Sequence, residues 1–347
     1  MRIAVTGASG NVGSAVVRRL RRAGHDVVGV VRRPGGQPID WVVADLSRDC
    51  HQVLVDAFRG ADAVVHLAWG FQPTHRPDYL ESLGVGGTRR MLDAVSEAGV
   101  RHVVHQSSIG AYAPRRDRAP VAEDWPTTGI SSSPYSRHKV AAERLLDAFE
   151  ARSETIVTRM RPGIIGQSSA GSAQLRYFLP TVVPAAVLRR VPVLPLDRDL
   201  TLQVVHADDV AEAIARALES EAPGPFNLAA DPVLSRDDVA TALDAVPLHV
   251  PMPVLRAVAD LSWRARLQGV DPGWVDLAAT VPILDTSRAR SVLGWAPAHT
   301  APSVLAEMIE GLAAADHGPS PVLRPRTVLD GVRRAWRRGP VAQRRRP

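Results

Sequence analysis

Arg2-Ile3-Ala4-Val5-Thr6-Gly7-Ala8-Ser9-Gly10-Asn11-Val12-Gly13 runs from a strand-like apolar stretch into a glycine-rich loop, and a helical pattern follows at once. Glycine at such a junction permits a tight turn, a close backbone approach to a pyrophosphate and close packing of helix on strand. The start of the helix adds unpaired N–H groups that attract an anion. Between the first strand and first helix of a βαβ unit, the pattern reads as a dinucleotide site carried by Gly7, Gly10, Asn11, Val12 and Gly13.

Outward from this loop, short β-branched runs alternate with helical patterns: DVVGVV from Asp26, WVVADL from Trp41, ADAVVHLA from Ala61, RHVVHQSS from Arg101 and ETIVTRMRP from Glu154. The alternation predicts βαβ units, and runs as apolar as AVVHLA predict strands covered on both faces. The expected fold is α/β, a Rossmann-type doubly wound parallel sheet with a smaller, mostly helical C-terminal substrate lobe. Regularity fails after Arg161-Pro162-Gly163 and returns with LTLQVVHADDVAEAIARAL from Leu200 and FNLAA from Phe226. The Rossmann domain is therefore expected over 1–165, completed by about 200–231, with the lobe in 166–199 and 232–315 and a flexible Arg-rich tail in 316–347. Trp263, Trp274 and Trp295 are expected to pack the lobe rather than touch substrate.

With 347 residues, 45% hydrophobic and 22% charged, the chain has the make-up of a soluble globular protein with one large domain and a lobe. The net charge of +6 comes from the end: residues 324–347 hold nine Arg and one acid, a local +8, leaving −2 elsewhere. A nucleic-acid groove on the folded body is not implied. Leu329, Val332 and Trp336 share a helical face among Arg333, Arg334, Arg337 and Arg338, a pattern suited to weak contact with an anionic membrane or to a solvated extension. Prolines and the Arg189-Arg190 pair interrupt the apolar stretch Tyr177 to Leu196, and no signal-peptide pattern precedes the first strand, so a cytoplasmic location is expected. Cys50 has no second cysteine to pair with and reads as structural, and His102 and His105 lack zinc-site partners, so no metal is expected. His206 is expected to pack or hydrogen-bond within the fold.

An NAD site usually carries an acid at the end of the second strand, but here the strand ends Val30-Val31-Arg32-Arg33. Guanidinium groups suit a 2′-phosphate, which favours NADP over NAD, with Arg32 as a contact. Among 42 Lys plus Arg there is a single lysine, Lys139, four residues after Tyr135 on a helix that Pro134 opens. A phenol with an ordinary pKa of about 10 needs a neighbouring cation to move protons near neutrality, and Lys139 is placed to supply it. Ser108, with Ser107 as rival, closes the strand RHVVHQSS and is positioned to polarise a carbonyl.

These signposts, TGASGNVG, ADL, HLA, SSIGAY, YSRHK and RPG, with VVHADDVAEAI, FNLAA and DTSRARSVLGW further on, resemble the extended short-chain dehydrogenases/reductases of the NAD(P)-dependent epimerase/dehydratase family from residue 1 to about 315. The resemblance implies that Asp45 and Leu46 border the adenine, that Leu67 and Ala68 border the cofactor ribose and phosphates, and that Pro162, Gly163 and Ile164 pass the nicotinamide. It implies catalytic roles for Ser108, Tyr135 and Lys139, a small-molecule substrate and a homodimer. Gly84 stands where the family usually has Asn in an N-V-x-G-T pattern. The expected activity is hydride transfer at a carbonyl or secondary alcohol. The alternatives are a nucleotide-sugar epimerase or dehydratase that retains its cofactor, with Arg176, Arg189 and Arg190 facing phosphates, and a noncatalytic NADP-binding sensor.

Overall fold

Alternation along the first strand sets the layers. Ile3 and Val5 face one side of a sheet and Ala4 faces the other, each fully buried. In the computed structural model, which describes residues 1–327 apart from Thr74, Arg76 and 180–184, seven strands form this sheet. They are β1 (Arg2–Thr6), β2 (Asp26–Val31), β3 (Asp40–Val43), β4 (Ala63–His66), β5 (His102–Gln106), β6 (Ile156–Pro162) and β7 (Gly224–Leu228). All are parallel, in the order β7-β6-β5-β4-β1-β2-β3. The order reverses between β1 and β4, which opens a crevice at the carboxyl ends of those two strands.

Helices α1 (Asn11–Arg22), α2 (His51–Phe58), α3 (Pro77–Ala98), α4 (Pro134–Glu150), α5 (Gly171–Phe178) and α6 (Ala207–Glu219) follow in chain order. On one face α1 and α6 pack Val16, Leu20, Val210 and Ile214 against Ile3, Val5, Val65 and Val104. On the other, α2, α3 and α4 pack Leu54, Phe58, Met91 and Leu146 against Ala4, Val64, Val103 and Val157. Coverage on both faces is why these strands read as continuous apolar runs. The expected α/β doubly wound architecture is the one observed.

Beyond the sheet lie α7 (Arg236–Ala242), α8 (Met252–Arg264), α9 (Pro272–Thr280), α10 (Ser287–Leu293) and α11 (Ala301–Ala314), with short strand pairs between them. The run restored at Leu200 divides its work: Val204–His206 pairs with Ile164–Gly166 outside the main sheet, while α6 returns to cover α1. His206 accepts a hydrogen bond from the Asp208 N–H and lies against the His299 ring, as expected of a packed histidine. Trp295 is fully buried against the Rossmann core, its Nε1 donating to the Asp209 carbonyl at 2.8 Å, and Trp263 stacks on His75.

The tail departs from expectation at its start. Asp316 to Leu323 contains no arginine, and Leu323 is 2% exposed against Ala170 and Ala173. Ser320 Oγ donates to the Ser9 carbonyl at 2.6 Å, so this stretch is a strap lying on the glycine-rich loop rather than a solvated extension. An apolar anchor and a buried hydrogen bond outweigh the charge that begins only at Arg324. The Leu329, Val332 and Trp336 face and the side chains of Arg189 and Arg190 fall outside the described part. No helix among the described residues is long and apolar enough to cross a membrane.

Candidate active site

The crevice is lined first by backbone. Gly7 has φ +72°, and a Cβ there would lie 2.8 Å from the Ala68 nitrogen, so only glycine lets the loop after β1 touch Leu67-Ala68 after β4. At Gly13 a Cβ would lie 2.2 Å from the Gly7 carbonyl oxygen, which holds α1 close beneath the turn. Gln167 Nε2 donates to the Asn11 carbonyl at 2.7 Å and to its Oδ1 at 2.6 Å, and so draws the chain after Ile164 onto this loop. Gly163 and Ile164 are fixed by their N–H groups on the Leu228 and Gln203 carbonyls. Val12 packs partly buried against the core beneath. The glycines, Leu67-Ala68 and the Pro162 to Ile164 segment thus converge on the switch point.

The residues expected to border the adenine are engaged within the protein. Arg32 donates to the Tyr79 hydroxyl. The Asp45 carboxylate accepts from the Ser47 N–H and hydroxyl, an Asx turn, while Leu46 is 3% exposed in the core under α3.

Ser133 caps α4 and Pro134 opens it, so Tyr135 and Lys139 stand one turn apart. Lys139 is 2% exposed, and its Nζ donates to the Gln106 carbonyl at 2.8 Å. The same ammonium lies 3.6 Å from the centroid of the Trp69 ring and 6.0 Å from that of Tyr135. Burial pulls its pKa down to about 7, against the opposing charge of Glu143. Burial pushes the Tyr135 phenol up to about 12, against a hydrogen bond with Ser108. The expectation that the ammonium lowers this phenol is therefore corrected in this geometry: Nζ is turned to a carbonyl and an indole face.

The two serines separate clearly. Ser107 donates to Glu143 Oε1 at 2.5 Å, deep in the fold, whereas Ser108 Oγ accepts from the Gly110 N–H at 3.0 Å, beside the Tyr135 ring. Glu143 is held from the other side by Arg161, whose Nε and NH2 donate at 2.9 and 3.0 Å. Burial would raise this carboxyl, but the Arg161 hydrogen bonds and charge, helped by Ser107 and Arg159, bring it below the usual range.

Sequence reasoning missed the aromatic side chains around the phenol. Trp274, expected only to pack the lobe, stacks on Tyr135 at 5.3 Å and 28°. Phe71 stands edge-on to it at 5.3 Å, and Trp69 does so at 6.5 Å. The unusual Gly84 was the available signal: a Cβ there would lie 3.0 to 3.1 Å from three Trp69 ring carbons. The indole fills the space that a longer side chain at 84 would take, and α3 runs on through this residue unbroken. Below Trp69 lie two buried histidines stacked at 5.4 Å. His66 bridges Thr6 and Thr88, while both ring nitrogens of His105 are buried without a hydrogen-bond partner among the described residues. Burial takes His66 to about 3 and holds His105 well below the ordinary imidazole value. No group of three or more His, Cys, Asp or Glu among the described residues is arranged to hold a metal ion.

The family model of the NAD dependent epimerase/dehydratase family matches residues 3–229. An uncharacterised protein of Mycobacterium tuberculosis is 31% identical over 310 residues, which are 88% of this chain but 29% of that protein. The chain thus spans 29% of the length of the first curated relatives it matches. A UDP-glucose 4-epimerase of Mycolicibacterium smegmatis is 28% identical over 335 residues, covering 89% of this chain and 98% of the epimerase. Among solved structures, a short-chain dehydrogenase/reductase superfamily protein from Agrobacterium tumefaciens with bound NAD is similar at TM-score 0.68 and 25% identity, over 90% of this chain and 96% of that one.

Proposed function

We infer the chemistry from one premise: the chain belongs to the NAD-dependent epimerase/dehydratase family. It acts as an NAD(P)-dependent oxidoreductase on a carbonyl or secondary alcohol. The observation that carries this reading is the packing of Ser108 and the Tyr135 ring together beside Gly110, with Lys139 buried one turn further along α4.

The N–H groups around Gly10 to Gly13 would hold the pyrophosphate, and Leu67, Ala68, Lys139 and Pro162 to Ile164 the nicotinamide half. Bound there, the nicotinamide supplies the hydride donor or acceptor. Tyr135 Oη gives its proton to the substrate oxygen in reduction and takes it back in oxidation. Ser108 Oγ holds that oxygen by a hydrogen bond. Lys139, one turn further along α4, would hydrogen-bond the nicotinamide ribose from its flexible stem. Trp69 and Phe71 keep water from the phenol. Arg32 and Arg33 at the end of β2, with no acid there, favour NADP over NAD, and Arg32 is held ready by Tyr79.

The test is NADPH oxidation by the purified chain with a panel of carbonyl compounds, together with Tyr135→Phe. Loss of about 100-fold or more in turnover with cofactor affinity kept supports the reading, and full activity in the variant removes it. The UDP-glucose 4-epimerase relative favours a second reading, sugar epimerisation with the cofactor retained. That reading predicts no net NADPH loss.

A further inference from the structure

The chain has seven Trp, five Phe and four Tyr, and five of these sixteen rings form one cluster that includes the proposed acid–base group, Tyr135. Trp69 and Phe71 come from the loop after β4, Tyr135 from α4, Phe178 from the end of α5 and Trp274 from the first turn of α9. Phe71 stands at 5.1 Å from Trp274 and 5.9 Å from Phe178, edge to face in both cases. Every ring in direct contact with Tyr135 presents an apolar face or edge to it.

Trp274 is set in place by its neighbours. Asp271 caps α9 by accepting from the Gly273 N–H at 2.9 Å, and a Cβ on Gly273 would lie 2.4 Å from the Ser132 carbonyl oxygen. The first turn of α9 is thereby pressed onto the loop that opens α4, with the indole flat on the phenol. Phe71 is the opposite case. Its ring is 42% exposed and forms the outer side of the group, so it is the ring an incoming molecule displaces.

The nearest basic residue of α5 is also committed. Arg176 donates through NH2 to the Val322 carbonyl at 2.6 Å and through NH1 to the Arg324 carbonyl, which ties it to the C-terminal strap instead of to a diphosphate. A nucleotide sugar needs cations for its phosphates and polar side chains for its hydroxyls, whereas this ring of residues offers π-faces.

We propose that the substrate is a flat aromatic carbonyl compound or the corresponding aryl carbinol, its ring laid against Trp274 in place of Phe71 and its oxygen turned to Tyr135 and Ser108. This assignment rests on the oxidoreductase reading above. Trp274 is then a specificity-determining residue for that reaction.

The experiment compares acetophenone, 2-octanone and UDP-glucose on the purified chain with NADPH, by turnover and by calorimetric binding. The aryl ketone is expected to exceed the aliphatic one by about tenfold in kcat/KM, the ~1.4 kcal/mol that one aromatic pair contributes. Trp274→Leu should erase that preference by raising KM for the aryl ketone, whereas Phe71→Leu, which removes the ring that the substrate displaces, should keep the preference with an equal or lower KM, NADPH affinity being unchanged in both. Equal kcat/KM for the two ketones, a preference kept in Trp274→Leu or lost in Phe71→Leu, or tight UDP-glucose binding would overturn the aromatic assignment while leaving the Tyr135-dependent chemistry standing. No uptake of NADPH would overturn both.

Discussion

Trp69 and Gly84 are complementary halves of one packing arrangement. The indole lies where a side chain at 84 would stand, and the Lys139 ammonium lies 3.6 Å from the ring centroid. Restoring an amide there by Gly84→Asn forces the indole off both contacts. Overpacking of this kind costs about 1–3 kcal/mol. The double variant Trp69→Ala, Gly84→Asn should be less damaged than the sum of the single changes, because the two residues share one volume. Urea denaturation of the four proteins measures the coupling, expected at about 1 kcal/mol or more, and strict additivity would contradict it.

Burial of Lys139 has a signature in stability against pH. Its pKa is about 7 folded against an ordinary 10.5, with burial as the cause and Glu143 opposing. Below pH 7 both states hold the proton and the cost of burying it is fully present. As pH rises from 7 toward 10 the unfolded chain keeps a proton that the folded chain has released, so folding becomes more favourable. The wild type should therefore gain on Lys139→Met by about 1.4 kcal/mol per pH unit in that window. Urea midpoints at pH 7, 8 and 9 test it, and a constant difference would count against a lysine neutral in the folded state.

The layers were legible because they depend on local periodicity: strands apolar on both faces and a glycine loop between β1 and α1 imply a doubly wound sheet wherever they occur. Tyr135 and Lys139 share a helix, so their spacing alone brought them together. The aromatic wall was not readable, because residues 69, 71, 178 and 274 meet only through the docking of the lobe, and tryptophan at 274 looks like any other packing residue. The direction in which Lys139 points was equally hidden, since it follows from the Gln106 carbonyl and from a Trp69 orientation set by Gly84. The strap escaped notice because its eight residues were read together with the arginines that follow them.

The buried histidines give the acid limb of stability. Burial takes His102 to about 4 and His66 to about 3, from an ordinary 6.5. Both are neutral in the folded state at neutral pH, and the stability this maintains is present above 6.5. As pH falls from 6.5 toward 4 the unfolded chain takes up protons that the folded chain refuses, and stability declines by about 1.4 kcal/mol per pH unit for each histidine. His102→Gln should keep a polar nitrogen at the Nε2 position beside Thr158 and remove one such proton. Its urea stability should fall less steeply than that of the wild type between pH 6 and pH 5, and parallel slopes would show that His102 does not carry the effect.

The strap should contribute to stability well beyond its length. Leu323 is 2% exposed against Ala170 and Ala173, and Ser320 holds the Ser9 carbonyl in the glycine loop. Leu323→Ala leaves a cavity where α5 meets the strap, at a cost of about 2–3 kcal/mol. Ser320→Ala strands a buried carbonyl, at a cost of about 1 kcal/mol. Thermal unfolding should show a larger loss for the leucine variant than for the serine variant. Ending the chain at Ala315 should match or exceed the leucine loss, because it also frees Arg176 from the Val322 carbonyl. A truncated chain that melts with the full-length protein would mean that the strap rests on the loop without stabilising it.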